Sequence, residues 1–290
     1  MTTGPARAGA NPVVLFLISA TSLYLGASLA VDLFDDVNPA GVAWLRLVGA
    51  TVVLLAVRRP WRRSWTRRRL FDAGIFGVVL GAMNTLFYLS IDEIPLGTSV
   101  AIEFIGPVVV GVIGTRTARN GVALGLGTAG VVLLAGIEIG GSPAGVLFAL
   151  GAAACWALYI VLGKRVAANG DGVDGLAVGI AIGMVVLAPV LVVPAASAFS
   201  SIGLLASCLL VGVLSNAIPY GLDQVVLRRA TPAQFALLLA ILPAVAAVFG
   251  AVVLGQIPTA VEVFGIGLVI SAIAVREREA DDVEVATGAD

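Results

Sequence analysis

The chain has no histidine. That removes the usual imidazole base and the commonest metal ligand. Charge is also scarce: Asp, Glu, Lys and Arg make up 12% of the residues, against roughly 25% in soluble domains. Cysteine occurs twice, as Cys155 and Cys208, each inside an apolar run, where a buried thiol is the better reading than a disulfide. No phosphate-binding loop of the Gly-x-x-x-x-Gly-Lys type is present, which argues against nucleotide-driven work by this chain. With few carboxylates and no imidazole, no nucleophile–base or metal constellation can be assembled, which argues against a polytopic membrane enzyme. Carboxylates are left as the expected proton carriers. No cofactor and no metal are expected.

Apolar residues are abundant, at 59%, with a mean hydropathy of +1.06. The excess is spread along all 290 residues, so the chain reads as a polytopic, all-α membrane protein. Ten apolar segments, bounded by charge, proline or glycine, predict ten transmembrane helices: 12–31, 39–57, 71–91, 97–114, 121–138, 143–163, 174–194, 201–222, 233–254 and 258–275. The stretch 1–11 carries Arg7, and the apolar run after it is too long for a signal-peptide core and lacks a small-residue cleavage site, so it reads as a retained first helix.

Cations set the expected orientation. With the N-terminus cytoplasmic, every Lys and Arg except Arg46 falls in an inner loop or a terminus, most densely at Arg58, Arg59, Arg62, Arg63, Arg67, Arg68 and Arg69. The outer loops carry only acids, such as Asp32, Asp35, Asp36, Asp92 and Glu93. Both termini are therefore expected in the cytoplasm, on an inner or plasma membrane. The basic stretch 58–69 reads as an orientation signal beside anionic lipid. The tail 276–290 is acidic, lacks aromatics and reads as disordered.

The two halves echo each other in order. Val14-Leu15-Phe16 recurs as Val146-Leu147-Phe148, Asn84 and Tyr88 as Asn216 and Tyr220, and Pro107 as Pro243. An odd number of spans per half implies inverted repeats, over 12–138 and 143–275, with a substrate site near the midplane and alternating access. That favours a carrier over a passive channel. Gly77/Gly81, Gly121/Gly125 and Gly179/Gly183 have the spacing that lets helices pack closely.

Ionisable groups inside spans are functional candidates by default. Glu103 can bind a substrate ammonium or carry a coupling proton; its bland role is a hydrogen bond to a neighbouring helix. Arg46 can hold a substrate carboxylate, or pair with Glu103 or the outer acids and lock packing. Together the two would complement a zwitterion. Asn84 and Asn216 need partners if buried, so cavity lining and interhelical bonding both remain open. Tyr88, Trp156, Tyr159 and Tyr220 can line a path or belong to an interfacial belt. Pro107 and Pro243 are expected to unwind their helices at the site. Asp223, near the inner end of its helix, is explained by water or Arg228.

Several stretches together resemble the drug/metabolite transporter superfamily, EamA-type, in its threonine/homoserine exporter branch. They are Ile94-Pro95-Leu96-Gly97 with Ala101-Ile102-Glu103-Phe104-Ile105-Gly106-Pro107, Ala154-Cys155-Trp156-Ala157-Leu158-Tyr159 with Gly163-Lys164-Arg165, and Leu214-Ser215-Asn216-Ala217-Ile218-Pro219-Tyr220-Gly221-Leu222-Asp223. The resemblance implies a ten-helix, inverted-repeat carrier that exports amino acids or other small metabolites or drugs against proton entry. Its partners would be a small-molecule substrate, the bilayer and the coupling proton, with no nucleic acid; it would act as a monomer or homodimer. Two positions depart from the branch pattern: Leu242 and Gln256 stand where it usually has glutamate.

Overall fold

The computed structural model describes residues 12–114, 117–138, 142–168, 172–227 and 232–275. The N-terminal stretch 1–11 and the acidic tail 276–290 lie outside the described residues. Regular structure among the described residues is helical throughout. In order come α1 (Pro12–Asp32), α2 (Pro39–Arg58), α3 (Arg67–Glu93), α4 (Leu96–Glu103), α5 (Ile105–Gly114), α6 (Ala118–Glu138), α7 (Pro143–Ala168) and α8 (Gly172–Leu191). Then follow α9 (Ile202–Gly212), a π-helical turn (Val213–Ala217), α10 (Ile218–Leu227), α11 (Pro232–Val253) and α12 (Ala260–Val275). Among the described residues, six helical stretches are long and apolar enough to cross a membrane: Val14–Asp32, Pro39–Arg58, Arg67–Glu93, Pro143–Gly163, Gly172–Leu191 and Ile202–Leu222. Four shorter apolar helices lie at Leu96–Val110, Ala118–Leu134, Leu242–Val253 and Ala260–Val275.

Local chemistry sets the helix starts. The Asn38 side chain accepts a hydrogen bond from the Ala40 N–H, with Pro39 in the first turn of α2, and Thr66 accepts from the Arg69 N–H at the start of α3. Both devices satisfy donors that a helix start leaves open.

Two of the apolar segments are not single α-helices. The segment 97–114 breaks at Phe104, between α4 and α5. Pro107 has no N–H to give the carbonyl of Glu103 four residues back, so the ladder fails there. The segment 201–222 is interrupted by the π turn, in which the Ile218 N–H reaches the Val213 carbonyl instead of that of Leu214. By contrast α11 runs unbroken through Pro243, which costs it one donor without ending it.

The N-terminal and C-terminal halves interdigitate. α3 packs on α7 and α8, α6 on α12, α2 on α8 and α9, α1 on α10 and α11, and α4 on α11. Missing side chains permit the closest crossings. A methyl group at Gly77 would overlap the Gly179 carbonyl, and one at Gly183 would overlap the Gly77 carbonyl, so α3 and α8 meet backbone to backbone. Gly212 lies equally close to the Arg46 carbonyl, and Gly49 to that of Leu209, which clamps α2 on α9. The Gly121/Gly125 pair makes no such crossing: nothing among the described residues lies within 4 Å of a methyl group at either position. Large apolar side chains such as Val52, Val132, Val190 and Val252 are exposed on the outside, as a lipid-facing surface requires.

Candidate functional site

The site begins with a proline and an irregular turn. Pro219, the second residue of α10, cannot donate to the Ser215 carbonyl four residues earlier. The π turn likewise frees the Leu214 carbonyl. Buried carbonyls without donors are costly in an apolar span. The structure satisfies them from two other helices. Ser22 Oγ of α1 donates to the Leu214 carbonyl at 2.6 Å, and Ser19 Oγ to that of Pro219 at 3.3 Å. Arg46 Nη2 of α2 donates to the Ser215 carbonyl at 2.9 Å.

Arg46 is 2% exposed. Its Nε donates to Asn216 Oδ1 at 2.7 Å, and its guanidinium lies over the Tyr88 ring, 5.0 Å from the centroid. The Nη1 nitrogen makes no hydrogen bond to any described residue. Both acceptors are neutral, and no carboxylate lies within ion-pairing distance among the described residues. The alternatives of pairing with Glu103 or with the outer acids are therefore not realised. Further unused polar groups lie on the two residues that contact this cation, Asn216 and Tyr88, and one turn from Tyr88 along α3, at Asn84. Asn216 Nδ2, Tyr88 Oη and Asn84 Nδ2 are all buried without a hydrogen-bond partner. Asn84 and Tyr88 are four residues apart on α3, on one face of the helix.

Glu103 ends α4 directly before the break and is 7% exposed. Arg46, Tyr24 and Cys155 are its electrostatic neighbours. Trp156 stands beside this break, edge-on to Phe104 at 4.6 Å between ring centroids. Tyr159 and Tyr220 do not join Arg46. They meet each other at 6.2 Å, with Phe76 stacked on Tyr159 at 4.8 Å. Pro107 and Pro243 are both buried, Pro107 beside the break and Pro243 within a continuous helix.

The two departures from the branch pattern have different settings. Leu242 is buried in the main apolar core. Gln256 Oε1 accepts from the Leu96 N–H at 3.0 Å and so caps the start of α4. Some contributors were not read from the sequence as site residues. Ser19, Ser22 and Ser215 are small hydroxyls in apolar runs; the signal that finds Ser215 is its place four residues before Pro219. Asp174, in the first turn of α8, was also missed. It pairs with Arg58 at 2.8 Å and Arg63 at 2.9 Å, and its side chain is 3% exposed.

Comparison with known proteins adds a separate line of support. The EamA-like transporter family matches residues 143–276. The threonine/homoserine exporter RhtA of Salmonella typhimurium is 37% identical over 266 residues, covering 90% of this chain and 89% of that protein. RhtA of Escherichia coli K12 is 36% identical over the same coverage. A solved crystal structure, 19% identical, superposes with a TM-score of 0.56 over 91% of this chain and 95% of its own, which shows a shared fold.

Proposed function

The chain belongs to the EamA-like transporter family, and from that premise we propose that it exports a small amino acid of the threonine/homoserine kind across the inner membrane. The identity to two such exporters over nine-tenths of the chain supports this substrate class. The transporter is a multi-pass protein with ten spans in two inverted five-helix repeats, 12–138 and 143–275, and it works by alternating access. Six long and four shorter apolar helices, together with the paired motifs at Asn84/Tyr88 and Asn216/Tyr220, support that architecture. Both termini are cytoplasmic, because this orientation puts all loop cations inside.

One observation carries the substrate reading. Arg46 and Glu103 are both buried, carry opposite charge, and make no ion pair among the described residues. Isolated charges in a bilayer are costly, and a zwitterion brought between them supplies a partner to each. Glu103 also carries the coupling proton, because a carboxylate can be neutralised there and no histidine exists to do so. Trp156 beside the break and the Tyr159–Tyr220 pair line the path.

The test is transport by purified protein in proteoliposomes over an amino-acid panel, with and without a pH gradient. Saturable, gradient-driven movement of threonine and homoserine is expected for wild type, and loss of gradient dependence for Glu103→Gln. Wild-type behaviour of Glu103→Gln removes the proton role. If no amino acid moves, the amino-acid reading falls. A different small metabolite then takes its place, a reading that the apolar setting of Leu242 favours.

A further inference from the structure

We propose that Arg46, Asn84, Tyr88 and Asn216 form the seat of the substrate's carboxylate, one that recognises it by hydrogen-bond donors. This rests on the amino-acid reading and assigns which end of the substrate lies where.

The inventory of donors and acceptors makes the case. Arg46 Nε and Nη2 are committed to Asn216 Oδ1 and the Ser215 carbonyl, which fixes the guanidinium in one orientation. Nη1 is left over. The same bond fixes the Asn216 amide, because only its oxygen can accept from Nε–H, so Nδ2 faces away as a donor. That Nδ2 has no partner, nor has Asn84 Nδ2, nor the Tyr88 hydroxyl. Guanidinium and amide nitrogens donate and cannot accept. The cluster is thus a full positive charge with surplus donors and no anion. Buried polar groups in native proteins are almost always paired, so two orphans on residues that touch Arg46 and a third one turn from Tyr88 mark something missing. A carboxylate offers about four lone-pair sites in one plane and matches a guanidinium edge.

Asn216 has a second duty, as a positioning residue. Its oxygen and the carbonyl freed by Pro219 hold the guanidinium in place and leave Nη1 free for a ligand. The face of Tyr88 packs on the guanidinium, and its own ring is held edge-on against Phe34 at 5.7 Å. The substrate ammonium then lies toward Glu103.

Two measurements decide the matter. In proteoliposomes, threoninol and homoserine should differ sharply, because threoninol keeps the amine and hydroxyl and lacks the carboxylate. Threoninol should neither move nor compete at ten times the KM of homoserine. Second, Tyr88→Phe and Asn84→Leu each delete an unpartnered group. A structural role and a binding role then point in opposite directions. The expected result is an apparent KM raised about five- to tenfold, kcat changed less than twofold, and a ligand-free Tm equal to or above wild type. Equal competition by threoninol overturns the proposal. So does a lowered Tm with unchanged KM, which makes these groups packing elements. If wild type moves no amino acid, the exporter reading falls separately. The seat is then judged by binding alone: acetate, lactate and pyruvate should raise the wild-type Tm and leave that of Arg46→Gln unmoved. Equal shifts, or none, reject it.

Discussion

Two buried charges in this chain are treated in opposite ways. Asp174 has an arginine on each carboxylate oxygen, Arg58 on Oδ1 and Arg63 on Oδ2, and it sits in the first turn of α8, where the helix dipole also favours an anion. Its bonding capacity is filled by this chain. Arg46 has a carbonyl, an amide oxygen and an aromatic face, and no anion among the described residues. Both side chains are out of water. A charge that the fold itself saturates is there to join elements, here the end of α2 and the basic segment after it to the start of α8. On the proposed reading, a charge held in place and left unsaturated is there to meet a substrate that comes and goes.

The largest effect should come from Arg46. Arg46→Gln keeps a donor for the Ser215 carbonyl and removes the charge. Transport should fall at least a hundredfold, while the fold survives, because removing an uncompensated buried cation relieves a desolvation cost. Initial rates in proteoliposomes, with a melting curve on the same protein, check both halves. Loss of folding together with transport would place Arg46 with Asp174 as a structural charge.

Asp174 should show the reverse pattern. Asp174→Ala leaves Arg58 and Arg63 without their shared anion. Loss of one partner of a fully buried pair costs about 3–5 kcal/mol. The arginines are 41% and 53% exposed, so water screens much of that and about 1–2 kcal/mol is expected. A lowered Tm with an unchanged KM for substrate supports the contrast; a raised KM with unchanged Tm would erase it.

Next comes the proline that frees the carbonyl Arg46 uses. Pro219→Ala restores an N–H that can compete with Nη2 for the Ser215 carbonyl. The guanidinium loses one of two anchors, and KM should rise about three- to tenfold, the net worth of about 1 kcal/mol for one hydrogen bond. An unchanged KM would mean that the π turn and the guanidinium are held independently.

How much of this was legible in the sequence follows from the same physics. Arg46, Glu103, Asn84 and Asn216 stood out because polar residues are rare in apolar runs. The family resemblance was legible for a related reason, since its motifs cluster on those residues. The break at Phe104 was legible in Pro107, whereas the π turn was not, and the matching expectation at Pro243 failed because α11 runs through it unbroken. Apolar patterning continues straight through the π turn, and only the i−4 reach of Pro219 marks the affected carbonyl. Ser19 and Ser22 left no mark, because a serine that serves another helix's backbone looks like any small residue. Asp174 was hidden by its place beside a loop, where an acid looks solvated. Gly121/Gly125 has the same spacing as Gly179/Gly183, yet only the latter meets a backbone, so spacing alone does not say which face is covered.

The smallest effect is expected at Gln256, where no charge is used. Its side-chain oxygen caps α4 at Leu96, and α4 is a helix of 8 residues whose other end is Glu103. In so short a helix the anchor at the start fixes where the last side chain stands. Gln256→Ala removes the cap and should cost about 1 kcal/mol, as helix N-caps generally do. It should also broaden the placement of Glu103, so that transport falls a fewfold with the pH-gradient dependence kept. Gln256→Glu keeps the acceptor and adds a negative charge at a helix start, where it is favourable by about 0.3–1 kcal/mol. A small rise in Tm and a transport rate within twofold of wild type should follow. If Gln256→Glu instead changes the gradient dependence, position 256 shares the proton work assigned to Glu103. The separation between saturated structural groups and open functional ones would then have to be redrawn at this end of the molecule.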